Sequence, residues 1–77
     1  MLGFEIDDLQ IAWVVQFYNL RDNYKKHLKI VQEPHLNKTF VGIDDQKYIY
    51  ILDDLNIFLD KHCGDAVKKY IYFEDIQ

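Results

Sequence analysis

The chain has 77 residues, 49% hydrophobic and 16% aromatic, with a net charge of −4 and Cys63 as its only cysteine. That length leaves room for one small α+β domain over residues 1–77, with a marginal core and no disulfide to support it. The apolar run Ile11–Phe17 is too short to cross a membrane, no basic leader opens the chain, and a lone thiol suits a reducing compartment, so a soluble cytoplasmic protein is expected.

Met1 to Ile6 reads as a short extended lead-in. Asp7 to Glu33 reads as one long helix. Leu9, Trp13, Phe17, Leu20, Tyr24, Leu28 and Val31 recur at spacings of four and three, which places them on one face. Asp7 and Asp8 suit its N-terminus, Lys25, Lys26 and Lys29 its C-terminus, and Pro34 its stop. Ile11, Val14, Val15 and Tyr18 form a second apolar face beside the first. A helix apolar on two faces needs cover on both, which a single small sheet does not give. The expectation is a homodimer through Ile11, Val14, Val15 and Tyr18.

Pro34 to Lys38 is loop-like, and Thr39–Ile43 is β-branched and aromatic, hence a strand. Asp44-Asp45-Gln46 reads as a turn, and Lys47–Leu52 as a second strand completing a hairpin. Asp53-Asp54 then caps a second helix carrying Leu55, Phe58, Leu59 and His62 on one face and ending at Gly64. Lys69–Phe73 nearly repeats Lys47–Ile51 and reads as a third strand, the alternative being a helix opened by Asp65. The predicted fold is thus a long N-terminal helix on a small antiparallel sheet, in the order α-β-β-α-β. Tyr48, Tyr50, Tyr70 and Tyr72 then share one sheet face, an amphipathic surface suited to a protein partner.

The segment Tyr48–His62 resembles the strand-to-helix step of excisionase-like winged domains. The resemblance covers less than a quarter of the chain, the helix-turn-helix that precedes that step is absent, and no function is carried over from it.

Catalytic chemistry has little to draw on. The chain has no serine, one threonine (Thr39) and three isolated glycines, so neither a hydroxyl nucleophile with its base nor a phosphate-cradling loop is in view. His27, His35, His62 and Cys63 share no metal-binding spacing. The acidic pairs Asp7-Asp8, Asp44-Asp45, Asp53-Asp54 and Glu74-Asp75 could work as paired acid and base or as a recognition surface. Most of them sit where caps and turns want aspartate. No cofactor is expected, and no enzyme. Residues 21–38 carry a net +3 on an otherwise acidic chain, and Arg21, Lys25, Lys26 and Lys29 cluster there. The expected function is a small acidic interaction module, a regulator, inhibitor or adaptor that binds another protein. The alternative is a dimeric nucleic-acid-binding protein that uses the Arg21, Lys25 and Lys29 stripe.

Overall fold

A computed structural model gives the fold and describes residues 1–64 and 69–73. The chain is α+β, with strand β1 (Leu2–Ile6), helix α1 (Asp8–Leu20), strands β2 (Leu28–Glu33) and β3 (Lys38–Ile43), helix α2 (Ile49–Cys63) and strand β4 (Ile71–Tyr72). The four strands form one sheet in the order β2-β3-β1-β4, every neighbouring pair antiparallel. β1 is therefore parallel to β2 across β3, and β3 is parallel to β4 across β1. Two β-α-β units interleave, which is the connectivity of a split β-α-β, or ferredoxin-like, sheet.

One face of the sheet carries the core. Leu2, Phe4 and Ile6 alternate along β1 and are registered with Ile43, Val41 and Thr39 of β3, with Leu28 beyond Ile43 on β2. Both helices lie on that face. Val14 and Phe17 come down from α1, and Ile51, Leu52, Leu55 and Leu59 from α2, all completely or almost completely buried. α1 covers the β2–β3 half, where Tyr18 lines a dent with Leu28 and Ile30. α2 covers the β1–β4 half, where the Tyr70 hydroxyl donates to Asp53 at 2.6 Å and accepts from Asn56 at 3.1 Å. On the other face, Phe73 stacks on Phe40 with ring centroids 4.9 Å apart.

The long helix expected over Asp7–Glu33 is in fact a helix, a turn and a strand. Asp7 does cap α1: its side chain accepts the Gln10 amide at 2.8 Å, and the Gln10 side chain accepts the Asp7 amide at 3.1 Å. The helix ends at Arg21, and Asp22–Tyr24 form a 3₁₀ turn. Lysines 25, 26 and 29 therefore do not cap its end. The β-branched pair Ile30-Val31 enters β2, which closes a hairpin with β3 through Pro34–Asn37, Asn37 having a left-handed φ of 52°. Residues three and four apart in Tyr24, Leu28 and Val31 mimicked a helical seam, but burial against β3 set the local structure.

The Lys47–Leu52 strand and its hairpin are likewise corrected. Gln46–Tyr48 make a 3₁₀ turn capped by Asp45, and α2 begins at Ile49. Alternation of tyrosine with isoleucine suits a strand, but Ile51, Leu52, Leu55 and Leu59 make a single buried stripe only as a helix. Asp53 and Asp54 consequently lie within α2 rather than at its cap, and the strand-to-helix step of winged domains is absent from Tyr48–His62. Gly64, with φ at 69°, does end that helix. Met1–Ile6 is more than a lead-in, since β1 is an inner strand of the sheet. Strand β4 falls within the expected Lys69–Phe73, and Asp65 as a helix cap lies outside the described residues.

Candidate interaction surface

The two helices meet along an aromatic seam. Trp13 of α1 stacks on His62 of α2 at 4.4 Å, and Phe17 meets Phe58 at 5.2 Å. Just past α1, the Tyr24 hydroxyl donates to Asp54 at 2.6 Å. Numbers rise on one side and fall on the other, so the helices run antiparallel. His62, Phe58 and Asp54 follow at intervals of four, which keeps them on the side of α2 that faces α1. The rings continue past the seam: Tyr24 meets Tyr50 edge-on at 5.9 Å, and His27 stacks on Tyr48 at 3.5 Å. Such ring pairs add about 0.5–1.5 kcal/mol each beyond burial.

Above the seam the helices leave a shallow groove of about 330 Å³. Phe17 and Phe58 line it together with Arg21, Lys61 and His62, and with Asp54. The Arg21 guanidinium lies 5.6 Å from the centre of the Phe17 ring, a cation–π distance. Tyr24 holds on to its proton more strongly than a free tyrosine, chiefly because of its hydrogen bond to Asp54 and then by desolvation. On the far side of Ile57 lies a second dent lined by Asp53, Asn56 and Asp60. Ile57 borders both hollows and is 69% exposed.

The four tyrosines do not share one sheet face. Tyr48 is half-buried in a turn, Tyr50 stands half-exposed on α2, and Tyr70 and Tyr72 lie at the β4 edge. Tyr70 stacks on Phe4 at 5.9 Å, and burial together with its bond to Asp53 pushes its hydroxyl up to about 12. Tyr72 accepts a hydrogen bond from Gln46. Lys47–Ile51 and Lys69–Phe73 look alike in sequence, but the first is mostly helical, and this separates the tyrosines.

Nor do Ile11, Val14, Val15 and Tyr18 form one exposed face. Val14 is fully buried in the core, Ile11 and Tyr18 pack half-buried against it, and Val15 is exposed. The buried side of α1 runs through Gln10, Val14 and Phe17, between the two apolar faces read from the sequence. Because the helix is apolar almost all round, its periodicity fixed the phase poorly. Leu9 and Leu20, placed on the seam from the sequence, are exposed, whereas Trp13 and Phe17 do face α2.

The basic cluster is dispersed among different elements. Arg21 caps α1, Lys25 pairs with Asp22 at 3.1 Å in the turn, Lys26 is exposed there, and Lys29 is on β2. The acidic pairs prove to be anchors: Asp7 and Asp45 cap, while Asp53 and Asp54 hold Tyr70 and Tyr24. Glu74-Asp75 lies outside the described residues.

No family model, curated protein or solved structure matches the chain. Function has to be read from the surface. Among the described residues, no group of three or more His, Cys, Asp or Glu side chains is placed to hold a metal ion. No helix among them is long and apolar enough to cross a membrane.

The groove escaped sequence reading because the start of α2 was misplaced. Ile57 already falls off the stripe of Leu55 and Leu59 in a helix opened by Asp53-Asp54; with α2 beginning at Ile49, Asp53 joins the helix, and Asp53 and Lys61 flank Ile57 at four residues either side. An isoleucine out of phase with its helix was the available signal.

Proposed function

We propose that the chain is a non-enzymatic protein-interaction module of the cytoplasm, a regulator, inhibitor or adaptor, and that it binds through the outer surface of its helical layer. The observation that carries this reading is Ile57, a large apolar side chain 69% exposed between two hollows, one bordered by Asp53 and Asp60 and the other by Arg21, Lys61 and His62. Single exposed apolar residues are ordinary. An apolar ridge with an aromatic-floored groove on one side and carboxylates on the other has the make-up of an interface centre with a polar rim. Fold alone would not support the reading, since split β-α-β sheets host unrelated functions. A single cysteine in the sequence, Cys63, is consistent with a reducing cytoplasm.

The test is photo-crosslinking in cells from a reactive residue at position 57, with position 23 in the α1–β2 turn as control. The reading expects protein adducts at 57 and none at 23. Nucleic-acid adducts from probes at positions 26 and 29, with none of any kind at 57, would replace it by the nucleic-acid-binding alternative.

A further inference from the structure

We propose that β2 is the seam of a homodimer: β2 of a second copy adds antiparallel to its free edge, Lys29 facing Glu33 of that copy across a two-fold axis at Val31, perpendicular to the sheet. This contact is separate from the outer face of α2 and goes beyond the function proposed above.

β2 is the outermost strand of the sheet, so the backbone groups on its outer side pair with no other strand among those described. It is six residues long and carries Leu28, Ile30 and Val31. Long apolar edges of this kind recruit further strands unless something covers them. An open hollow of about 340 Å³ runs along this edge, lined by Leu28, Lys29, Ile30 and Val31 and, from α1, by Tyr18.

The strand is its own antiparallel complement. Lys29, Val31 and Glu33 lie on the sheet face away from the helices, together with their partners Gly42, Phe40 and Lys38. Glu33 is only 7% exposed and has no ion-pair partner among the described residues, because Lys38 across the hairpin turns to Glu5 at 3.5 Å. Lys29 is exposed. A two-fold perpendicular to the sheet reverses the strand and keeps its faces. It therefore sets Lys29 against Glu33 of the second copy, twice, with Val31 against Val31 between them. Moving the axis one residue either way puts Lys29 or Glu33 against Val31 instead, so the charges select one register. An edge lysine is a common guard against foreign strands, and the second copy supplies the carboxylate that answers it.

Above the sheet the same axis brings the two α1 helices side by side, antiparallel. Trp13 and Phe17 face α2, and Ile11, Val15 and Tyr18 share the opposite flank. Tyr18 reaches β2 beside Leu28, and Ile11 reaches it beside Glu33. A two-fold sets this flank against itself, and an apolar flank needs no match of charge to accept that. Val15 and Ile30, both exposed in the single chain, then leave water together. Strand-to-strand hydrogen bonds supply the rest of the attraction.

Sedimentation equilibrium of the purified chain, taken up to about 1 mM, should show a monomer–dimer equilibrium. Lys29→Glu and Glu33→Lys should each weaken the dimer about ten-fold, since each sets like charges opposite one another twice. Mixed in equal amounts they should pair again, because the mixed dimer regains opposite charges at both contacts. Val15→Asp, at an exposed position, should weaken the dimer by a similar factor. Should Glu33→Lys fail to fold by circular dichroism, Lys29→Glu and Val15→Asp still decide the matter. A monomer at the highest concentration, or a dimer indifferent to both Lys29→Glu and Val15→Asp, overturns the proposal. Folded charge variants whose mixture stays monomeric, at a concentration where the parent chain dimerises, overturn it as well.

Discussion

Gly3 and Gly42 stand directly opposite one another in the β1–β3 pair, and neither position has room for a side chain. A Cβ on Gly3 would lie 1.9 Å from the carbonyl oxygen of Val41, and one on Gly42 would lie 2.8 Å from the carbonyl oxygen of Leu2. The ring of Phe73 occupies the remaining space, 2.8 Å from that second Cβ position. Gly3→Ala must push the central strands apart, since its nearest neighbour is backbone. A loss of about 3 kcal/mol is expected, at the upper end of usual overpacking costs. Gly42→Ala should cost less, because the Phe73 side chain can give some ground. Urea unfolding of both variants checks the order, and equal, small losses would mean that the strands are not this close.

Val14 and Val15 are neighbours in sequence with opposite surroundings, the first fully buried and the second 43% exposed. Val14→Asp puts a charge into the core, and burying an unpaired carboxylate costs several kcal/mol. A domain of this size is stable by about 4–12 kcal/mol, so Val14→Asp should unfold or nearly unfold it. Val15→Asp should stay folded, within about 0.5 kcal/mol of the parent. Thermal melts of the two variants give the helix phase directly, and the reverse result would rotate α1 by one residue.

Tyr70 gives the fold a sensitivity to alkali. Burial and the bond to Asp53 raise its hydroxyl to about 12, above the ordinary value of 10.0. A group whose pKa is raised on folding contributes stability in full below its unfolded value and loses it as pH climbs through the folded one. Stability should therefore decline between about pH 10 and 12. Tyr24 adds to the decline in the same direction through its bond to Asp54. Tyr70→Phe should flatten part of the fall, and the double variant with Tyr24→Phe more of it. At neutral pH, Tyr70→Phe should cost about 0.5–1.5 kcal/mol for the lost hydrogen bonds. Denaturant titrations at a series of alkaline pH values read both effects, and a parent profile no different from that of the double variant would contradict the assignment.

The sequence was most informative where local chemistry decided the structure. Asp7 caps α1, Gly64 ends α2, and Thr39–Ile43 lies within β3, each through a short-range signal that tertiary contacts did not override. The α+β class and an antiparallel sheet were also legible. What was lost came from two segments whose pattern suited either period. Leu28–Glu33 continued a helical spacing by coincidence, and Tyr48–Leu52 alternated like a strand while lying almost wholly in a helix. In both, burial against distant partners chose the outcome, β3 for the first and the β1 core for the second. Misplacing α2 then hid the Asp53, Ile57 and Lys61 line, so the candidate surface was read onto tyrosines that the fold separates.

The central claim is that contact with another protein is made through the outer face of α2. Amide NMR spectra of the isotope-labelled chain, recorded alone and in cytoplasmic extract at one chain concentration, test it residue by residue, because amides at a contact surface shift and the others hold still. The account predicts shifts centred on Asp53, Ile57 and Lys61, reaching Arg21 across the groove and fading towards the sheet. Shifts centred instead on Ile11, Val15 and Tyr18, or along Leu28–Glu33, would place the contact on α1 or on the β2 edge and contradict it.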